Sequence, residues 1–171
     1  MKPSVRFGLL LGAILVALPL FVYVLGVDKN DTVQKVSGFF NVGITAGILF
    51  LGIKTTRDTI GNGFTSFGKA FSTGMVISLI SSAISAIGTF LYFTVVNPGM
   101  ITYIKLKQEE ALYEKGMSDA DVEKFSSSME FMNNPAMMTG FGFLGMVILG
   151  LVVSLIWAGV LKKDNPSDMI S

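Results

Sequence analysis

Residues 54–74 read KTTRDTIGNGFTSFGKAFSTG, the longest polar passage before residue 97, with two apolar runs on each side of it. A polar stretch so placed joins one hairpin of membrane helices to another. Residues 7–27 and 36–53 precede it, and residues 70–96 and 135–161 follow it. Runs of about 18 or more apolar residues can cross the roughly 30 Å hydrocarbon core of a bilayer, and all four qualify. The composition agrees. With 51% hydrophobic and 15% charged residues in 171, and a mean hydropathy of +0.63, the apolar excess does not fit a water-facing surface. The expectation is an all-α integral membrane four-helix bundle built of two helical hairpins. Residues 1–171 form a single membrane domain, with a cytoplasmic hinge at 54–69 and an extramembrane helical hairpin in 97–134, between helices 3 and 4.

The chain has no cysteine and no histidine. Disulfides, thiol catalysis, thiolate metal sites and lipidation of a cysteine are excluded. The commonest general base, metal ligand and near-neutral pH switch are missing together. A net charge of +1 matters less than the segregation of the charges along the chain.

The first run begins after Lys2 and Arg6, as a signal peptide would. It is about 21 residues long, ends without a small-x-small cleavage site and is followed by three more runs, so it reads as a membrane helix of about 31 Å. Gly8 and Gly12 form a GxxxG pair for close helix approach, and Pro19 removes one backbone donor and is expected to kink the helix. Gly43 and Gly47 repeat the GxxxG pair in the second run, where Asn41 reads as an interhelical or headgroup hydrogen-bonding group. In the third run Gly74, Ser78, Ser81, Ser82, Ser85 and Thr89 fall on one helical arc about 100° wide, opposite Leu79, Ile80, Ala83 and Ile87. Such a face serves either as a packing seam or as a polar pathway for a solute. Gly150, Ser154 and Ala158 make a small-xxx-small ridge in the fourth run, with Gly140, Gly142 and Gly145 upstream.

Between the third and fourth runs the charges are dense. Asn97-Pro98 and Asn134-Pro135 each read as a cap followed by a first-turn proline, and Gly116 closes the helix begun by the first. Ser118 to Asp121 is a relative of the capping box, followed by a stripe of Val122, Phe125, Met129 and Met132.

Lys and Arg near membrane helices are retained in the cytoplasm. Lys2, Arg6, Lys54, Arg57, Lys69, Lys162 and Lys163 lie on one side, with Asp58, Asp164 and Asp168 as its acids. On the other side, residues 97–134 hold four lysines against seven acids. Both termini and the hinge are therefore expected in the cytoplasm, and 97–134 outside it. Tyr23 and Tyr92 at the outer helix ends, and Trp157 at the inner end, fit an interfacial aromatic belt.

The hinge pattern K-x-x-R-D-x-x-x-x-G-F-T-S-F-G-K-A-F, with N-P, E-K-G-M-S-D and a second N-P further on, resembles a family of uncharacterised four-helix bacterial membrane proteins of the Bacteroidota type, a domain of unknown function. The resemblance spans nearly the whole chain. It is most specific at Arg57, Asp58, Gly63, Phe67, Ala70 and Phe71, and then at Pro98, Gly116, Met117, Ser118 and Pro135. It implies a multi-pass inner-membrane protein and brings no catalytic or ligand residues.

The residues themselves point away from an enzyme, because no Asp, Glu, Lys or Arg lies within the four runs. The carboxylates Glu109, Glu110, Glu114, Asp119, Asp121 and Glu123 read as a solvated face and helix-start acids rather than a divalent-cation site. No cofactor, metal or nucleic acid is expected. An ion-coupled carrier needs an ionisable group at membrane depth, and none is present. The function expected is that of a structural, accessory or scaffold subunit of a membrane assembly. Its partners would be the lipid bilayer, anionic lipid at the cytoplasmic face, and a second copy or another membrane protein. Lys54, Arg57, Asp58, Phe67 and Lys69 are the candidate partner or lipid contacts. The competing readings are a small transporter or channel subunit with its pathway along the serine face, and an envelope sensor using 97–134.

Overall fold

The computed structural model describes residues 1–165, so Asp168, counted above among the acids, lies outside the described residues. Among the described residues six α-helices follow one another: α1 Pro3–Val24, α2 Asp31–Ile60, α3 Phe67–Leu91, α4 Gly99–Glu114, α5 Asp119–Met129 and α6 Pro135–Leu161. A π-helical turn, Tyr92–Val96, closes α3. No named strand occurs among the described residues, and one isolated antiparallel bridge joins Thr65 to Lys163. The chain divides into two compact units, one of Met1–Ser85 with the chain from Phe143, the other Ala86–Gly142.

The helix ends follow local chemistry. Pro3 opens α1 at a position where its missing N–H costs nothing, and the helix runs on through Pro19. Asn30 caps α2, its Oδ1 accepting from the Val33 N–H at 3.1 Å. That helix does not stop at Ile53, where the apolar run ends. It continues through Lys54–Ile60, because nothing there interrupts the backbone ladder; Thr56 and Thr59 bond back to the carbonyls of Gly52 and Thr55. The stop is Gly61-Asn62-Gly63, where Asn62 and Gly63 take positive φ of 49° and 86°. The polar hinge is thus two helical turns followed by a tight turn. Its second half holds Ser66, whose carbonyl accepts the N–H of Ala70 and whose hydroxyl accepts that of Lys69 at 3.4 Å.

In the first unit α3 is the common neighbour. A Cβ placed on Gly8 would stand 2.8 Å from Cβ of Ile80, and one on Gly12 would stand 2.8 Å from Cβ of Ile84, so the GxxxG pair of α1 is filled by isoleucines of α3. Ile77 of α3 and Phe7 of α1 close over Gly52 of α2. Leu11, Leu15, Ile48, Leu49, Ile77 and Val153 form one buried cluster, and Ile53, Ala70, Ala158 and Leu161 form a second. Trp157 packs against both, meets Phe50 edge to face at 4.9 Å and donates its indole N–H to the Ala46 carbonyl at 2.9 Å. It joins α6 to α2. Where lipid replaces water, helices gain little from hydrophobic transfer to one another, so such close packing and interhelical bonds carry the association.

In the second unit, Gly116 at φ +80° turns the chain between α4 and α5. The Ser118 hydroxyl accepts from the Asp121 N–H at 3.3 Å and donates to the Asp121 carboxylate at 2.7 Å, a reciprocal cap. Asn133 donates to Gln108 at 3.2 Å, fastening the chain after α5 to α4. The two Asn-Pro pairs differ. Asn134 caps α6, accepting from the Ala136 N–H at 2.9 Å. Asn97 instead donates its side-chain amide to the Tyr92 hydroxyl at 3.0 Å, and Pro98 holds the cap position of α4 without a side-chain bond. Tyr92 is buried in that pairing.

Candidate functional site

Two polar constructions stand out in the first unit. The first is the face between α3 and α6. Ser78, Ser81 and Ser82 are buried, as are Gly74, Gly150, Ser154 and Ala158, while Ser85 is half-buried. The two helices interlock reciprocally. A Cβ on Gly74 would lie 2.7 Å from Cβ of Ser154, and one on Gly150 would lie 2.5 Å from Cβ of Ser78. Ala70 and Ala158 meet in the second buried cluster, one turn further along. Small residues at four-residue spacing on antiparallel helices thus mesh over three successive turns. The hydroxyls turn mainly inward on their own helix: Ser78 donates to the Gly74 carbonyl at 2.9 Å and Ser81 to the Ser78 carbonyl at 3.0 Å. Among the described residues the buried oxygens of Ser82 and Ser154 have no hydrogen-bond partner.

The remaining GxxxG pair behaves differently. Nothing lies within 4 Å of a Cβ built on Gly43 or Gly47, and both face outward beside the exposed Phe39 and Phe40. The glycines Gly140, Gly142 and Gly145 also face open space.

The second construction is a cleft of about 550 Å³ at the hinge end, bordered by the last turn of α2, the start of α3 and the chain after α6. It exists because Thr65 and Lys163 exchange both backbone hydrogen bonds, each 2.9 Å, which ties the segment after α6 to the hinge. Arg57, Lys69 and Lys163 line it together with Thr56, Ser66 and Asp164. Arg57 Nε donates to Asp58 Oδ1 at 2.8 Å, and the Lys163 ammonium lies 5.2 Å from the Phe64 ring centroid.

Of the five hinge residues singled out in the sequence, the structure brings Arg57 and Lys69 to this cleft. Lys54 does not line it and lies over the Phe50 ring at 5.9 Å. Asp58 serves as the partner of Arg57. Phe67 stacks on Phe71, with ring centroids 6.4 Å apart and planes 3° from parallel. Lys163 and Thr65 were not singled out as members; their pairing is a contact between distant parts of the chain, and no local pattern announces it.

In the second unit a groove of about 470 Å³ lies between α4 and α5, with Glu109, Asp119, Glu123 and Glu130 on its walls beside Lys105 and Tyr113. Glu110 is engaged with Lys107 at 2.8 Å. Among the described residues no three carboxylates are grouped to hold a metal ion.

Among the described residues four helices are long and apolar enough to cross a membrane: α1, α2, α3 with its π-helical turn, and α6. That places the chain in the class of all-helical proteins compatible with multiple membrane crossings. Within that class it belongs to the family described as protein of unknown function DUF4199, whose model matches residues 6–163. No curated protein and no solved structure gives a significant match.

Proposed function

We propose that this protein is a non-enzymatic structural or accessory subunit of a membrane assembly in a bacterial inner membrane. In this reading α1–α2 and α3–α6 are two hairpins of one four-helix bundle, with both termini and the hinge in the cytoplasm and α4–α5 outside it. The observation that carries the reading is the interlocked α3–α6 face. Ser78 and Ser154 occupy the places left by Gly150 and Gly74, so the hydroxyl-rich arc of α3 is spent on packing instead of bordering an open route. A pathway along that arc would need the two helices to part by at least the width of a side chain. The open Gly43 and Gly47 face of α2 and the charged hinge end are the surfaces assigned to a partner in this reading.

The test is a crosslinking pull-down from native membranes with a tagged chain at natural expression level, beside a variant carrying Arg57→Ala, Asp58→Ala and Phe67→Ala. A stoichiometric protein partner that disappears in the variant is the expected result. Self-crosslinked oligomers alone, unchanged by the substitutions, would overturn the accessory role and move the reading to a conduit.

A further inference from the structure

The cleft at the hinge end combines features that a topology signal alone does not require. Positive charge near a membrane helix serves topology wherever it points, yet here three cations from three separate segments border one concavity. Arg57 comes from the last turns of α2, Lys69 from the first turn of α3, and Lys163 from the chain just beyond α6. Among the described residues Asp164 is the one acid on the wall. The carboxylate of Asp58 occupies Arg57 Nε, leaving the other four guanidinium N–H groups for a ligand. Among the described residues neither Lys69 nor Lys163 has a carboxylate partner. Lys163 is held at its backbone by Thr65 and at its ammonium by Phe64, so part of the ordering cost of a bound anion is met beforehand.

Depth decides which anion. Arg57 lies four residues past the end of the apolar run at Ile53, about 6 Å further along the helix axis. Lys69 immediately precedes the apolar run of α3, and Lys163 comes two residues after Leu161. All three therefore stand in the layer just beyond the hydrocarbon core, where lipid phosphates lie. We propose that this cleft binds the phosphate of an anionic phospholipid headgroup, gripped by Arg57, Lys69 and Lys163. The volume falls within the roughly 300–1,000 Å³ of small-molecule sites. The inference rests on the membrane reading above, and on its orientation only for the choice of leaflet.

The full-length chain, purified and placed in nanodiscs of phosphatidylcholine with a minor fraction of labelled phosphatidylglycerol, provides the test. Retention of the labelled lipid is compared among the native chain, a Lys69→Gln/Lys163→Gln variant and a Lys54→Gln/Lys2→Gln variant, which loses the same charge outside the cleft. Each cleft lysine should be worth roughly ten-fold in preference for the anionic lipid, as hydrogen bonds to a charged group are, while the control pair loses only the smaller diffuse surface attraction. Equal losses in both variants would overturn the proposal in favour of diffuse surface attraction. Displacement of the lipid by millimolar glycerol phosphate would overturn it in favour of a soluble phosphate compound. A Lys69→Arg/Lys163→Arg variant should keep the preference, which separates charge from misfolding; loss of preference there with helicity intact also counts against the site. The measurement contains no partner protein and presents both leaflets alike, so its failure is distinct from failure of the accessory role or of the orientation.

Discussion

The α3–α6 face and the hinge-end cleft are made of similar small and hydroxyl-bearing residues and reach opposite states. On the face, Ser78, Ser81 and Ser82 are 1–2% exposed and Ser154 is fully buried, because a second helix runs opposite at a constant four-residue register. At the cleft, Thr56, Ser66 and Thr73 border open volume, because α2 ends at Ile60 and α6 at Leu161 and the chain beyond them meets through one backbone bridge. Hydroxyls alone do not distinguish a site from a seam. What stands across from them does, and the charges confirm the division: Arg57, Lys69 and Lys163 all belong to the open construction.

Filling the closed face is the strongest way to break this contrast. In Gly150→Leu the new side chain must displace Ser78, whose Cβ would stand 2.5 Å from the added Cβ. An overpacked core position costs about 1–3 kcal/mol, and the upper end is expected here because the atoms met are close to the backbone of α3. Gly43→Leu makes the same chemical change where nothing lies within 4 Å, and should stay within about 0.5 kcal/mol. Thermal midpoints of the two variants in one detergent measure the difference. Equal shifts would mean that the interlock is not what holds α6 to α3.

A smaller effect belongs to Trp157. Trp157→Phe keeps an aromatic ring beside Phe50 and removes the N–H donated to Ala46. The expected loss is about 1 kcal/mol, read from the same midpoints. The carbonyl of Ala46 retains the helical bond of α2, so the cost stays well below that of Gly150→Leu. A loss as large as that of Gly150→Leu would mean that ring shape, rather than the hydrogen bond, fixes the α2–α6 contact.

The elements that could be read from sequence were those whose signals are local. Residues 135–161 were expected as a helix and Pro135–Leu161 is one, since the cap at Asn134, the proline at the first turn and the end of the apolar run all coincide with the backbone's own limits. At α2 these signals separate: hydropathy falls after Ile53, but the backbone has no reason to stop before Gly61. Hydropathy marks where lipid would end and glycine marks where the helix ends. Asn97-Pro98 carries the same dipeptide as Asn134-Pro135, but there Pro98 takes the cap position of α4 and has no side-chain acceptor to offer, while the Asn97 amide donates to Tyr92 in the preceding π-helical turn. The small residues at 74, 78, 150, 154 and 158 were visible as ridges. Their mutual register was not, and neither was the pairing of Thr65 with Lys163, since both depend on segments brought together only by the fold.

The smallest effect is also the most discriminating for function. Replacing Ser78, Ser82 and Ser85 together by alanine removes one bond that Ser78 makes to its own helix, one buried oxygen of Ser82 that has no partner, and one half-buried hydroxyl. None of these joins α3 to α6, and single polar contacts between membrane helices average only about 0.6 kcal/mol even when they do. The bundle should therefore melt within about 0.5 kcal/mol of the native chain, and the partner captured in the crosslinking experiment should be recovered in the same amount. A seam tolerates this change because its closeness comes from Gly74 and Gly150, which remain. A conduit does not, because alanine removes the oxygens that would replace a solute's hydration. An intact bundle that still captures its partner yet fails to restore the phenotype of a deletion strain would place the function on the hydroxyl arc after all.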